Sequence, residues 1–296
     1  PRRARRMRCA VALRLARVSL LPTVVTNALA GTALAGGRWD DPRMPLLIVA
    51  LALFYTGGMF LNDAFDREFD ARVRPDRPIP VGDASAAEVF TIGFGLLAGG
   101  LGLLAATARL HPADGPWNAA WGGLALAAAI VAYDAFHKSN PLSPFVMGLC
   151  RMLVYVTAAL AVAGEAAPAV LTGATVLLGY LIGVTYAAKK EHLNRLDHAW
   201  PLVFLAAPIG YGATLVPAHP LVLMPLAACA AWIVIAVRRL VRRGPGDVPR
   251  AVVGLLAGIS LVDAIVLAGR DQTLPMLVAL VALPLTLRLQ RWVSGT

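Results

Sequence analysis

Long apolar runs separated by short polar loops fill the chain, and their lengths predict helices that cross a bilayer. A spanning helix needs about 20 predominantly apolar residues. Runs close to that length extend from Arg17 to Ala35, from Leu46 through Leu61 into Asn62, over 86–108 and 117–136, from Phe145 onward, and over 169–188, 201–216, 221–237 and 251–268. A last run, Leu274 to Leu287, is short and contains Pro275 and Pro284, so nine helices are expected with room for a tenth. Polar residues gather at two helix ends, 62–85 and 186–197, four spans apart, as two related four-helix halves would place them. The fold class expected is all-α: a polytopic transmembrane bundle around a central cavity, with residues 1–296 forming one membrane-embedded domain.

Local signals refine the pattern. Arg2, Arg3, Arg5, Arg6, Arg8, Arg14 and Arg17 precede the first run. Lacking a clear small-residue cleavage site, that segment reads as a first helix starting in the cytoplasm rather than a signal peptide. Counting spans then puts both polar clusters and the arginine-rich loop Arg238 to Arg250 on the cytoplasmic side. Ser85 followed by Glu88 has the form of a capping box opening the third helix. Gly93, Gly95, Gly99, Gly100 and Gly102 would let that helix approach a neighbour closely. Arg151 is expected either to bind an anion or to snorkel. Asp263, toward the far end of its run, is expected at the interface.

Composition agrees with a membrane protein. The chain is 58% hydrophobic and 15% charged, with a mean hydropathy of +0.68, outside the range of soluble domains. A net charge of +10 would suggest nucleic acid in a soluble chain. Here the basic residues lie in short loops where they meet anionic lipid, so no nucleic-acid partner is expected. Cys9, Cys150 and Cys229 show no metal spacing and read as small buried side chains.

The stretch GGMFLNDAFDREFDARVRPDRPIPVGDAS, Gly57 to Ser85, carries the clearest chemistry. Seven of the 17 acidic residues fall between Asp63 and Glu88. Asn62, Asp66 and Asp70 are four apart, so a continuing helix keeps them on one face with Asp63 beside them. Such a ladder of hard oxygens repels itself unless a cation intervenes, and it suits Mg²⁺. Arg72, Arg74 and Arg77 follow, and guanidinium forks match phosphate oxygens. Together these residues point to a metal-bound diphosphate on a lipid.

The order Asn-Asp-x-x-Asp-x-x-x-Asp, then Arg-Pro-Ile-Pro-x-Gly-x-x-Ser, resembles the first signature of the UbiA-type intramembrane prenyltransferases. The resemblance implies Mg²⁺-dependent transfer of an isoprenoid from a polyprenyl diphosphate to an acceptor. Mg²⁺ is then expected on Asn62, Asp63, Asp66 and Asp70, and on Glu191 and Asp197 of the second cluster. Tyr133 and Lys138 are ambiguous by position, as a belt tyrosine and a positive-inside charge, but the resemblance makes them part of the site. His137 is expected to be a neutral interfacial histidine, with proton transfer as the alternative. Diphosphate contacts are expected from Arg72, Arg77, Lys138, Lys189 and Lys190, and an electron-rich ring from Tyr186 as well as Tyr133. The second cluster departs from the family's D-x-x-x-D, since Glu191, Asn194 and Asp197 step by three, which puts a second metal in question. Two rivals stand beside this reading: a terpene cyclase working without an acceptor, and a transporter or lipid carrier. The carrier would need polar residues deep in broken spans.

Overall fold

A backbone in hydrocarbon must satisfy its own hydrogen bonds, and the apolar runs accordingly fold as helices. The computed structural model describes residues 7–110, 117–138, 140–189 and 198–293, and no strand occurs among them. The helices are α1 (Cys9–Leu15), α2 (Leu21–Leu34), α3 (Met44–Phe65), α4 (Arg67–Val73), α5 (Pro78–Val81), α6 (Ala86–Leu110), α7 (Asn118–Phe136), α8 (Ser143–Ala163), α9 (Pro168–Ala188), α10 (Ala207–Leu215), α11 (Leu223–Arg242), α12 (Asp247–Ala257), α13 (Ile259–Ala268) and α14 (Thr273–Leu289). The protein is an all-helical, multi-pass membrane bundle. Among the described residues seven stretches are long and apolar enough to cross a membrane, and the bent pair α1–α2 makes an eighth if it counts as one span. Trp200–Leu215 and Thr273–Leu289 are shorter, so length and hydropathy alone do not yield the expected nine.

Of three apolar clusters among the described residues, the smallest ties α1 to α3 and α6 around Leu15 and Phe60, and two larger ones build most of the interior. One joins α2, α3, α6, α7 and α8 around Leu51, Phe54, Leu104 and Leu126. The other joins α2, α8, α9 and α11 to α14 around Tyr155, Tyr180 and Leu255. α2 and α8 serve both, and the main cavity opens between the clusters. α3 meets α6 closely because Gly57 and Gly93 face each other: a Cβ on Gly57 would stand 2.9 Å from the Gly93 carbonyl oxygen. The glycines of α6 are not equivalent in this respect, since among the described residues Gly95 and Gly102 have nothing within 4 Å of an added Cβ.

Two breaks shape the site. Arg17 has a left-handed backbone (φ 43°), which bends the chain by 54° between α1 and the 3₁₀ turn leading into α2. A non-glycine residue pays roughly 1–2 kcal/mol for that conformation. The second break lies at Asp66, where α3 ends and α4 begins. The expected single continuous helix through Asp70 is therefore kinked once, although backbone bonds from Asp66 to the Asn62 carbonyl and from Asp70 to the Asp66 carbonyl keep the helical phase.

Several expectations require correction. Asp263 is fully buried rather than interfacial, because 89% of the span containing α12 and α13 is enclosed by other helices. Arg151 turns into the bundle and bonds Asn27 instead of snorkelling. Cys9 is exposed, while Cys150 and Cys229 are buried. The capping box at Ser85 is half formed: Ser85 Oγ accepts from the Glu88 N–H at 3.2 Å, but Glu88 Oε1 accepts from the Met7 N–H instead.

Candidate functional site

The helical phase kept across the break at Asp66 leaves four polar side chains on the inward face. Asn62, Asp63, Asp66 and Asp70 keep only 9%, 4%, 8% and 4% of their surface exposed. Buried carboxylates need cations or hydrogen bonds, and each of two acids has its own set. Asp63 Oδ1 accepts from Arg17 Nη2 at 2.9 Å and lies 3.5 Å from Arg77 Nη1. Arg17 also donates to Asn62 Oδ1 at 3.2 Å. Asp66 Oδ2 accepts from Lys138 Nζ at 2.8 Å and stands 3.5 Å from His137 Nε2. Burial pushes the Asp66 carboxyl up, but His137 and Lys138 outweigh it and hold the group below the usual carboxylate range. Asp70 is pushed up by burial, which Arg77 offsets only in part. Burial, with the neighbouring Arg17 cation, lowers Arg77.

Asp134 joins these residues from α7. Its Oδ1 accepts from Asn62 Nδ2 at 3.1 Å, and its Oδ2 is buried with no hydrogen-bond partner among the described residues. Tyr133 stacks on His137 with ring centroids 4.8 Å apart. Lys138 lies 4.0 Å from the Phe69 ring centroid, which fixes its ammonium over α4.

These groups ring the mouth of a cavity of about 620 Å³. Its charged lining comprises Arg17, Arg74, Lys138, Arg151 and Lys189 against Asp66 and Asp134, an excess of positive charge. Below the mouth the walls are mostly apolar, formed by Val24, Leu51, Phe54, Leu126, Ile130, Val154, Leu181, Val184, Leu256 and Ile259, with Arg151 and Tyr55 the polar exceptions. A pocket that is cationic at one end and greasy along its length suits an amphiphile with an anionic head.

Of the residues singled out by sequence, Asn62, Asp66, Tyr133, Lys138 and Lys189 line this cavity. Asp63 and Arg77 border a smaller adjoining cavity of about 350 Å³ with Arg14 and Arg74. Asp70 is buried beside them but lines neither cavity. Arg72 is exposed and donates to the Glu68 carbonyl oxygen, and its place on the cavity is taken by Arg74. The Tyr186 hydroxyl accepts from the His198 N–H at 3.0 Å, and its ring is not part of the lining. Lys190, Glu191, Asn194 and Asp197 lie outside the described residues. Sequence reasoning missed Arg17 and Asp134 as members of the site. It also confined polar chemistry to helix ends, whereas Asn27, Arg151, Tyr155 and Asp263 form a second polar group deep among the spans.

A model of the UbiA prenyltransferase family matches residues 24–259. An 84-residue segment is 40% identical to the digeranylgeranylglyceryl phosphate synthase of Methanoculleus marisnigri, covering 28% of this chain and 30% of that one. A 117-residue segment is 36% identical to the synthase of the same name from Natronomonas pharaonis, covering 38% and 37%. The chain thus spans only about a third of the length of these curated relatives. Among solved structures, a UbiA homologue from Aeropyrum pernix K1 superposes with a TM-score of 0.66 at 18% identity, covering 86% of this chain and 98% of that one. A structure concerning digeranylgeranylglyceryl phosphate synthase gives 0.58 at 17% identity, covering 88% and 97%. At these identities the likeness is one of fold.

Proposed function

Because the chain belongs to the UbiA prenyltransferase family, we propose that it transfers an isoprenoid from an allylic diphosphate to an acceptor inside the membrane. The observation that carries the reading is the cavity, with its cations and buried acids at the mouth and a hydrocarbon-lined body. The names of the relatives, which are synthases of a prenylated glyceryl phosphate, favour transfer to an acceptor over cyclisation. The arginine-rich segments favour a mouth facing the cytoplasm.

Mg²⁺ is the expected cofactor. Among the described residues no three His, Cys, Asp or Glu side chains surround one point, so they do not form an all-protein cage. Mg²⁺ does not require one, since it commonly takes one or two carboxylates and completes its shell with water and substrate phosphate. The donor chemistry fits that need. Asp134 has an unpartnered buried oxygen beside Asn62, and Asp66 lies on the same cavity wall. Asp66 and Asp134 with Asn62 would hold the ion, and Asp63 and Asp70 add negative potential behind them. When bound, the metal neutralises charge that moves onto the departing diphosphate.

The chain's own residues do the rest. Lys138, Lys189 and Arg74 present donors to the diphosphate oxygens. The apolar wall from Leu51 to Ile259 takes the isoprenoid tail and keeps water from the allylic cation. As the C–O bond breaks, its electron pair stays on diphosphate, and the Tyr133 ring faces the positive carbon. The acceptor oxygen then bonds that carbon and gives up its proton to the released diphosphate, while His137 and Lys138 hold Asp66 in place. Purified protein in lipid nanodiscs, given radiolabelled geranylgeranyl diphosphate and geranylgeranylglyceryl phosphate, tests this. A labelled product that needs Mg²⁺ and disappears in Asp66→Ala supports the reading. An acceptor-independent terpene points to a cyclase, and no turnover contradicts the proposal.

A further inference from the structure

The polar group below the mouth has an order of its own. The Asp263 carboxylate on α13 accepts from Thr26 Oγ1, from Asn27 Nδ2 at 2.9 Å to both oxygens, and from the Tyr155 hydroxyl at 2.5 Å. With its amide nitrogen held, Asn27 turns Oδ1 toward α8, where Arg151 Nη1 donates to it at 2.8 Å. The Arg151 guanidinium lies 5.5 Å from the Tyr55 ring centroid, and both residues line the main cavity. Asp263 is thus linked to Arg151 through one amide.

An ionised side chain inside a span is costly and usually has a task. Balancing Asp263 would be one, but a direct ion pair would serve that better than a contact relayed through Asn27. Arginine has five N–H donors. Asn27 is the hydrogen-bond acceptor that the described residues supply to it. None of its nitrogens is both buried and unpartnered, in contrast to Arg17 Nε, so the spare donors open onto the cavity. An isoprenoid tail gains nothing from them. Arg151 is eight residues along α8 from Ser143 at the mouth, about 12 Å at 1.5 Å per residue. Tyr55 lies seven residues before Asn62 on α3, a depth of about 10 Å.

We propose that Arg151 docks an anionic group, carboxylate or phosphate, on the prenyl acceptor, and that Asp263 positions it through Asn27. The inference rests on the prenyl-transfer reading and adds to it the acceptor's chemical class and its end of the cavity. The guanidinium fork matches either anion. An acceptor held there turns its nucleophilic oxygen toward the mouth, the end at which the diphosphate is proposed to sit. The fixed carboxylate of Asp263 and the oriented amide of Asn27 keep the fork aimed outward without neutralising it by contact.

The test uses full-length protein in nanodiscs with geranylgeranyl diphosphate as donor. Separate arms supply 4-hydroxybenzoate and geranylgeranylglyceryl phosphate, and their anion-free counterparts phenol and geranylgeranylglycerol. The wild type is expected to use one of the anionic acceptors and neither counterpart, and the arm that works identifies the anion. Arg151→Gln should raise the KM of that acceptor on the order of 10- to 100-fold, the loss expected for charge-assisted hydrogen bonds, with the donor KM within about twofold. Arg151→Lys keeps the charge but not the fork and should recover part of the loss. Asn27→Ala should move the same constant in the same direction by less. If Arg151→Gln does not fold, the Arg151→Lys split between the two KM values decides the question. Equal use of the anion-free acceptors, or equal rises in both KM values, overturns the proposal alone. Absence of any prenyl transfer by the wild type overturns the reading beneath it as well.

Discussion

Replacing Arg17 by methionine removes the cation that ties the first helical segment to the acid cluster. Arg17 contributes a 2.9 Å ionic bond to Asp63 and a 3.2 Å bond to Asn62, and the side chains of Arg17 and Asp63 are 14% and 5% exposed. Breaking a buried pair by deleting one partner typically costs about 3–5 kcal/mol. Arg77 remains 3.5 Å from Asp63 and can close on it, so a loss nearer the ~2 kcal/mol of a charged hydrogen bond is expected. At about 2–4 °C per kcal/mol for a chain of this size, the midpoint of thermal unfolding should fall by about 4–8 °C. Adding Asp63→Asn removes the stranded charge, so the double variant should recover most of that fall. Tryptophan-monitored melting of the four proteins of the cycle, in one detergent, measures the coupling. A double variant that melts as low as Arg17→Met, or a single variant that melts as the wild type does, would refute the pairing.

Other outcomes follow from the same geometry. Asp70 is buried with its carboxyl pushed up. At neutral pH its charged form therefore opposes folding, and Asp70→Asn should raise the melting temperature there, with the gain vanishing below about pH 4, where the unfolded carboxyl is also protonated. Asp66 shows the opposite sign: its folded carboxyl is held low by His137 and Lys138. Its stabilising contribution is present above the unfolded value of about 3.9 and is lost as pH falls through the folded value. Acid titration of the melting temperature should be shallower in Asp66→Asn. A Cβ on Gly31 would stand 2.8 Å from the Tyr155 carbonyl oxygen. Gly31→Ala should then cost about 1–3 kcal/mol by forcing α2 away from α8, whereas Gly95→Ala, with nothing within 4 Å, should melt unchanged.

What the sequence reveals is governed by how local each signal is. Apolar runs report their own helices, and spacing within one turn reports a shared face, so α3 and α6 to α9 and the inward set Asn62, Asp63, Asp66 and Asp70 are legible from the chain alone. The role of Arg17 is not, because it is one of many arginines before the first run, and a left-handed backbone selects it. Asp134 reads as a lone acid at a helix end until packing of α7 on α3 sets it 3.1 Å from Asn62. Asp263 is recognisable only through Thr26, Asn27 and Tyr155, which are more than 100 residues away in the chain. Arg72 and Arg74 are separated by the helical phase at the end of α4, where Arg74 leaves helical geometry (φ −136°, ψ 63°).

A structure of the protein with Mg²⁺ and geranylgeranyl thiolodiphosphate, a donor analogue that resists ionisation, decides whether this cavity holds the prenyl donor. The diphosphate is expected among Lys138, Lys189 and Arg74, the metal against Asp66 and Asp134, and the tail running down the apolar wall past Phe54 toward Leu256. A diphosphate seated elsewhere, or a tail lying outside this cavity, would contradict it.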